Sequence, residues 1–249
     1  MSIRREEIDI KTADGVAHAW TYRAGEGPRS AVLLYPDKGG VRPATHEMAE
    51  RLVGLGYFVL QPNIFYRAGN YRPFDPATVW NDPAERARLM ELLGSITAER
   101  VGIDGGAYLD AIRAQPGVRK DRIGITGYCI GGKMAFLTAG KHPDKVRAAA
   151  SFHGGGLVTD KPDSPHLLAD RIQASLYFGV AESDKGCTPE HQGALAAALG
   201  TAGVHYEIEL YKGKKHGFAI SDNGEVYDRE AADRHWRRLE SFLGETLAA

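Results

Sequence analysis

A cysteine between two glycines, at the junction of a strand and a helix, is the feature that most constrains how this chain can fold. Residues 127–131 read Gly-Tyr-Cys-Ile-Gly. The apolar run at residues 123–126 predicts a strand before them, and residues 132–137 predict a helix after them. In such a unit the central residue lies on a strained turn, and side chains at the flanking positions would collide with the neighbouring strand and helix. The pattern predicts a nucleophile at the end of a strand.

The position of Cys129 also bears on its chemistry. The turn places the sulfur over the N-terminus of the following helix, whose partial positive charge favours the thiolate. An alternative stays open here, because a chain with 30 glycines in 249 residues can produce this spacing by chance. Buried cysteines are also common as core residues. The rest of a catalytic site has to decide between a nucleophile and a structural thiol.

Apolar runs and turn residues alternate along the chain in the manner of βαβ units. An antiparallel hairpin is predicted at residues 3–11 and 16–22. Further strands are predicted at 30–35, 57–62, 146–152, 174–180 and 205–211, helices at 44–55, 83–93, 99–115, 189–199 and 226–247, and the cysteine-bearing strand and helix at 122–142. This alternation predicts an α/β fold with a mostly parallel sheet covered on both faces. We expect residues 1–249 to form one domain, with its chemistry beyond the carboxyl ends of the strands.

Two strand ends after Cys129 carry residues that would complete a nucleophilic site. A thiol nucleophile needs a base and a third group that orients the base. Asp184 and His216 each follow one of the later predicted strands, in the order nucleophile, acid, histidine. We therefore expect Asp184 to bind Nδ1 of His216, and Nε2 to face the sulfur. Glu182 is the alternative candidate for the acid. Taken alone, His216 could also be an ordinary surface histidine.

With these residues in place, the chain resembles the dienelactone hydrolase family of α/β-hydrolases. The likeness covers most of the chain after the opening hairpin. It is carried by Gly-Tyr-Cys-Ile-Gly-Gly at 127–132, the loop with Asp184, His216 and the two residues after it, the strand at 56–62, and the helix with Glu85 and Arg86. The resemblance implies the α/β-hydrolase fold, a mostly parallel central sheet with helices on both faces.

The resemblance also implies roles for residues beside the nucleophile. Family members carry a carboxylate after the first central strand that contacts the resting thiol. Asp37 stands at that position, where glutamate is usual. The backbone N–H groups of Lys38 and Ile130 are expected to form the oxyanion hole, since the residue after the nucleophile supplies one donor.

Family members further bind a substrate carboxylate with two arginines. Arg86 matches one of them, although Arg88 could serve instead, and the second position holds Ile220. An apolar side chain cannot pair with an anion, so this departure predicts a less anionic or differently shaped acyl group. Other residues expected to line the pocket, with core packing as the alternative, are Tyr66, His153 and Phe218.

The composition limits the partners of this chain. Its 31 basic and 32 acidic residues are scattered and give a formal net charge of −1, which predicts no contact with nucleic acid or membrane. A charged N-terminus, no apolar run near ~18 residues and only two cysteines predict a cytoplasmic protein without a disulfide framework. We expect no metal, no organic cofactor, and a monomer or small homo-oligomer that acts on a small molecule.

These features predict a cysteine-dependent hydrolase of an ester or lactone, of the carboxymethylenebutenolidase type, that acts through an acyl-thioester. A general carboxylesterase or thioesterase is the nearest alternative, because of Ile220. The other alternative is a redox-responsive thiol protein with little turnover, because an accessible thiolate of low pKa is also typical of sulfenic-acid sensors.

Overall fold

One sheet of eight strands organises the part of the chain that the computed structural model describes, residues 2–69, 72–75 and 78–247. The strands β1 to β8 span, in chain order, Arg4–Thr12, Gly15–Arg23, Arg29–Tyr35, Phe58–Pro62, Val118–Tyr128, Ala148–Phe152, Ser175–Ser183 and Tyr206–Lys215. The helices α1 to α6 span Pro43–Gly54, Pro83–Gly94, Ala98–Arg113, Ile130–Lys141, Pro189–Thr201 and Arg229–Leu247.

The strands lie in the order β1-β2-β4-β3-β5-β6-β7-β8. The β1–β2 hairpin pairs antiparallel and joins β4 antiparallel, whereas all the remaining pairs are parallel. The predicted hairpin and the predicted mostly parallel sheet are therefore confirmed. No helix among the described residues is both long enough and apolar enough to cross a membrane.

Both faces of the sheet are covered, which explains why its central strands are continuously apolar. In β3, Leu33 and Tyr35 pack into one core with residues of α3, α4 and α5. Val32 and Leu34 point to the opposite face and pack into a second core with residues of α1 and α6. This alternation follows from the two-residue repeat of a strand.

The closing helix begins later than the sequence predicts. The expected start is residue 226, whereas α6 begins at Arg229. Asp228 precedes the helix, and its carboxylate accepts a hydrogen bond from the N–H of Ala231 at 2.9 Å, as an N-terminal cap does. The preceding residues 223–226 consequently remain in the loop region that leads from β8 to α6.

The carboxyl ends of five neighbouring parallel strands, β3, β5, β6, β7 and β8, meet at one edge of the sheet. The residues that follow them there include Asp37, Cys129, His153, Asp184 and His216. Open α/β sheets bind their ligands at this edge. The fold thus brings together side chains that lie far apart in the sequence.

Candidate active site

Cys129 has a backbone conformation that side chains rarely adopt. Between the end of β5 and the first turn of α4 its φ is 57° and its ψ is −120°. A non-glycine residue in such a region costs about 1–3 kcal/mol and persists only where the surroundings enforce it. Part of that enforcement comes from β6, because the N–H of Cys129 donates to the carbonyl of Phe152 at 3.1 Å.

The glycines around Cys129 are required by close packing. A Cβ at Gly127 would lie 2.0 Å from the carbonyl oxygen of Gly131, in the following helix. A Cβ at Gly131 would lie 2.4 Å from the carbonyl oxygen of Pro36, just beyond β3. The predicted collisions at both flanking positions are confirmed. They also show that the turn packs directly against the loop that carries Asp37.

His216 is held by the carboxylate of Asp184. Oδ2 of Asp184 lies 2.7 Å from Nδ1 of His216, and Oδ1 accepts a hydrogen bond from the N–H of Gly186 at 2.8 Å. Asp184 is buried. The competing acid, Glu182, is exposed and accepts a hydrogen bond from the N–H of Gly213 instead. The pairing predicted for Asp184 is therefore present, and Glu182 is not part of it.

The sulfur of Cys129 and the ring of His216 influence each other's protonation. Burial raises the pKa of the Cys129 thiol, but the charge of His216 and a hydrogen bond with it outweigh burial, so that the pKa is lowered. Burial lowers the pKa of His216, but the charge of Cys129 and the hydrogen bond with Asp184 outweigh it, so that the pKa is raised. The two shifts favour a thiolate beside an imidazolium. The N-terminus of α4 acts in the same direction on the sulfur.

His153 packs behind His216. The two ring centroids are 5.2 Å apart and the ring planes are inclined by 63°. His153 is buried, its φ is 38°, and within the described chain neither ring nitrogen has a hydrogen-bond partner. Burial, followed by the charge of His216, holds the pKa of His153 well below its usual value. A neutral ring therefore supports the base from behind.

A cavity of about 680 Å³ opens over Cys129 and His216. Its other lining residues come from three segments: Lys38 after β3, Trp80, Asn81 and Leu93 in and before α2, and residues 223–226 before α6. The Lys38 ammonium lies 5.8 Å from the centre of the Trp80 ring, within the range of a cation–π contact. The cavity volume suits a small organic molecule.

Comparison with known protein families shows to which family the chain belongs. A family model described as the dienelactone hydrolase family matches residues 16–247. The chain belongs to the dienelactone hydrolase family. Its fold is the α/β-hydrolase fold, and the family assigns it to the hydrolases.

Individual members agree with this assignment. The chain is 27% identical over 242 residues to a Methylorubrum extorquens protein provisionally named a carboxymethylenebutenolidase, covering 95% of this chain and 79% of the relative. A Synechocystis protein with the same provisional name is 27% identical over 224 residues, covering 87% and 86%. A Klebsiella pneumoniae structure, provisionally described as a dienelactone hydrolase, matches with a TM-score of 0.83 at 23% identity, covering 98% and 99%. At that identity the structural match speaks for the fold alone.

The residues that the dienelactone hydrolase resemblance proposed for substrate binding do not line the cavity. Arg86 is exposed on α2 and is not among the lining residues, although Leu93 of the same helix is. Its alternative, Arg88, binds Glu85 and the carbonyl of Arg72. Ile220 is fully buried in the core beside α6, so its apolar character does not shape the cavity directly.

The aromatic residues expected in the pocket also belong to the interior. Tyr66 is buried, with its hydroxyl 2.7 Å from Oγ1 of Thr12 and donating to Asp104 at 2.9 Å. Phe218 is fully buried and stacks on Tyr211 with ring centroids 4.5 Å apart. His153 supports His216 without lining the cavity. All three side chains are buried, and none is among the residues that line the cavity in the described chain.

In the structure the Asp37 carboxylate is bound by a buried arginine. Both of its oxygens bind the guanidinium of Arg42, at 2.5 and 3.2 Å. No hydrogen bond joins Asp37 to Cys129 in the described residues, and Asp37 acts on the thiol through its charge, which raises the thiol pKa. Arg42 carries no motif that would have singled it out in the sequence.

The two proposed oxyanion donors lie at the same site. Ile130 is the first residue of α4, so its N–H has no acceptor within the helix. Lys38 lines the cavity together with Cys129. Sequence reasoning missed the opposite wall, which residues 223–226 form. Asn223 is buried there, and its Nδ2 donates to the carbonyl of Gly217 at 2.9 Å.

Proposed function

We propose that this dienelactone hydrolase family member hydrolyses an ester or lactone with Cys129 as the nucleophile, His216 as the base and Asp184 as the group that orients His216. The observation that carries the proposal is the position of His216. It lines one cavity with Cys129, while its Nδ1 is bound to the buried Asp184. A base with an oriented ring beside an activated thiol is the arrangement that nucleophilic catalysis requires.

In the first half of the proposed reaction, the Cys129 thiolate attacks the carbonyl carbon of the substrate. The carbonyl oxygen becomes an oxyanion, which the N–H groups of Lys38 and Ile130 stabilise. The bond from carbon to the leaving oxygen then breaks, and the His216 imidazolium gives its proton to that oxygen. An acyl-thioester on Cys129 and a free hydroxyl group result; in a lactone both belong to one molecule.

In the second half, His216 takes a proton from a water molecule that attacks the thioester carbonyl. The oxyanion forms again at the same donors, and the bond between carbon and sulfur breaks. The carboxylic acid leaves, and Cys129 and His216 return to their starting state. Asp184 keeps Nδ1 protonated throughout, so that Nε2 remains the nitrogen that exchanges protons.

A direct test is steady-state hydrolysis of a carboxylated dienelactone and of a neutral aryl ester by the wild-type protein and by Cys129→Ala. We expect Cys129→Ala to lose turnover of whichever substrate the wild type uses. Cys187→Ala is the matched control, because Cys187 is the only other cysteine and is buried outside the cavity. Turnover that survives in Cys129→Ala would overturn the nucleophile. Oxidation of Cys129 without hydrolysis of either substrate would favour the redox-responsive alternative.

A general carboxylesterase is the second candidate, and the lining of the cavity favours it. Neither Arg86 nor Ile220 contributes to that lining, and the ammonium of Lys38 shares the cavity with the carboxylate of Glu225. Among the described lining residues, these two opposite charges leave no surplus cation for an anionic substrate. If the neutral ester alone is turned over, the carboxylesterase assignment holds. Efficient turnover of the dienelactone would instead make Lys38 the partner of its carboxylate.

A further inference from the structure

A buried arginine, Arg42, joins two loops that flank the cavity. Each of its five N–H groups has an acceptor. Nε donates to Oδ2 of Asp222 at 2.7 Å, Nη1 donates to Oδ1 of Asp37 at 2.5 Å and to the carbonyl of Gly40 at 3.1 Å, and Nη2 donates to Oδ2 of Asp37 at 3.2 Å and Oδ1 of Asp222 at 2.8 Å. Arg42 thus clamps the loop after β3 to the loop before α6.

Arg42 binds the Asp37 carboxylate, the group that the family resemblance places beside the thiol. Both oxygens of Asp37 bind Arg42, and Oδ1 also accepts the N–H of Gly39 at 3.0 Å. Asp37 follows Pro36, whose carbonyl oxygen touches the turn that carries Cys129. A carboxylate at this place with free oxygens would accept the S–H of Cys129 and keep the sulfur protonated. When guanidinium nitrogens already donate to both of its oxygens, the carboxylate is a weaker acceptor for the S–H of Cys129.

We propose that Arg42 is a positioning residue that withholds the Asp37 carboxylate from Cys129, so that Cys129 rests as a thiolate paired with His216. The proton of the thiol moves from the sulfur to Nε2 of His216, and no other group changes. This inference rests on the proposed function and deepens it, because it assigns the charge state of the site before any substrate binds. Substrate binding is then not needed to activate the nucleophile.

The charges around Cys129 agree with a resting ion pair. His216 faces the sulfur from the end of β8 and Lys38 from the loop after β3, and the charges of both lower the pKa of the thiol. The charge of Asp37 opposes them, and both oxygens of this carboxylate are bound by Arg42. His153 packs against the other side of His216, and Glu225 is an exposed residue of the cavity lining.

The test is the pH dependence of Cys129 alkylation by iodoacetamide in the full-length protein, with Cys187→Ala as background so that one thiol reports. We expect the wild-type midpoint to lie below about 8.5, the ordinary value for a thiol. Arg42→Met should raise the midpoint, because it leaves Asp37 without its cation. For midpoints above pH 7, each further increase by one pH unit should slow alkylation at pH 7 by about tenfold. The double variant Asp37→Asn with Arg42→Met should recover the wild-type midpoint.

A matched control separates this role from a merely structural one. Arg67 also bridges two aspartates, with Asp104 at 2.7 and 2.9 Å and Asp14 at 2.8 Å, and it does not line the cavity. Arg67→Met should lower the free energy of unfolding without moving the alkylation midpoint. Should Arg42→Met fail to fold, Arg42→Lys keeps the cation but offers three donors in place of five, and it too should raise the midpoint.

Several outcomes would overturn the inference. A folded Arg42→Met or Arg42→Lys protein with an unchanged midpoint would do so, and so would a double variant that keeps the raised midpoint. A wild-type midpoint near that of an ordinary thiol, together with hydrolysis that depends on Cys129, would reject the resting thiolate and leave the proposed function intact. Hydrolysis that survives in Cys129→Ala would instead reject the function.

Discussion

At the scale of single residues, His216 is defined by what lies around it. Asp184 binds Nδ1, Cys129 shares the cavity with the ring, and His153 packs against it from behind. The carboxylate fixes the tautomer and the orientation of the ring, and the neutral His153 adds no positive charge that would oppose protonation of His216. The chemistry of this site therefore depends on contacts that hold one imidazole in place.

Asp184→Asn should lower kcat/KM for ester hydrolysis on the order of 10³-fold to 10⁴-fold, because an amide offers Nδ1 the wrong hydrogen-bond partner. The protein should remain folded. Glu182→Gln is the control, since Glu182 is exposed and binds only the N–H of Gly213 in the described residues. Steady-state kinetics on the three proteins measure the effect. A larger loss in Glu182→Gln than in Asp184→Asn would assign the acid to Glu182.

The pH dependence of acylation should reveal the protonation state of Cys129 and His216 in the resting protein. Because the pKa of the thiol is lowered and that of His216 is raised, the reactive ion pair should predominate at neutral pH. We expect kcat/KM for a neutral ester to have reached its plateau at about pH 7.5, below the ordinary thiol value of about 8.5. A rate that still rises tenfold per pH unit there would indicate a protonated resting thiol.

The sequence was most informative for residues whose neighbours in the chain constrain them. Cys129 was found because two glycines surround it, and Asp184 and His216 because each follows a strand. The structure buries Tyr66 and leaves Arg86 exposed outside the described cavity lining, so a substrate-binding role for either stays a prediction. A sequence pattern puts a residue on a helix or after a strand, but it does not fix how far along the helix the cavity extends or which aromatic side chains turn inwards.

At the scale of secondary-structure elements, the turn around Cys129 is a place where three backbones meet. The end of β5 contacts the first turn of α4 at Gly127, and α4 contacts the loop after β3 at Gly131. The position of the nucleophile therefore depends on the packing of these elements as much as on the local sequence. The cavity wall depends on an element boundary in the same way: because α6 begins only at Arg229, Val226 lies in the preceding loop and lines the cavity.

Gly131→Ala should destabilise the protein by about 1–3 kcal/mol, because a Cβ there meets the carbonyl of Pro36 and forces α4 away from the loop after β3. Activity should fall as well, since Cys129 moves with α4. Gly193→Ala on α5 is the matched control, because its Cβ meets nothing within 4 Å. That variant should gain about 0.5–1 kcal/mol from helix propensity. Urea unfolding measures both, and equal stability of the two variants would contradict the steric account.

At the scale of the whole molecule, two buried histidines, His153 and His235, pack against aromatic residues of the core that contains α1 and α6, and the protein keeps them neutral. Burial lowers the pKa of His235 to about 3, and burial together with the charge of His216 lowers that of His153 well below its usual value. In the neutral ring Nδ1 of His235 donates to the carbonyl of Ala232 at 3.1 Å, so Nε2 accepts a hydrogen bond from the Tyr128 hydroxyl at 2.7 Å. An unfolded chain binds protons at these positions below about pH 6.5, whereas the folded protein does not.

Acidification should therefore unfold the protein earlier than its carboxylates alone would predict. The stabilisation is present above about pH 6.5 and is lost towards the lower folded-state pKa values, by up to about 1.4 kcal/mol per pH unit for each histidine. His216 contributes little below about pH 6, because its raised pKa keeps it protonated in the folded protein and an unfolded histidine is also largely protonated there. Urea unfolding between about pH 6.5 and 5 measures the slope.

His235→Gln should reduce that slope by the share of one histidine. His205→Gln is the control, because His205 is exposed, and it should leave the slope unchanged. Equal slopes in the wild type and in His235→Gln would show that His235 becomes protonated in the folded state.

The contact of Arg42 with Asp222 joins positions 180 residues apart in the chain. During translation the N-terminal part of a protein leaves the ribosome first. Cys129 is therefore synthesised before His216 supplies its base and before Asp222 completes the clamp on the loop after β3. A nascent chain carries the proposed nucleophile without the groups that would activate it. We therefore expect the activated thiol to form only after residues 216 and 222 have left the ribosome and packed against it.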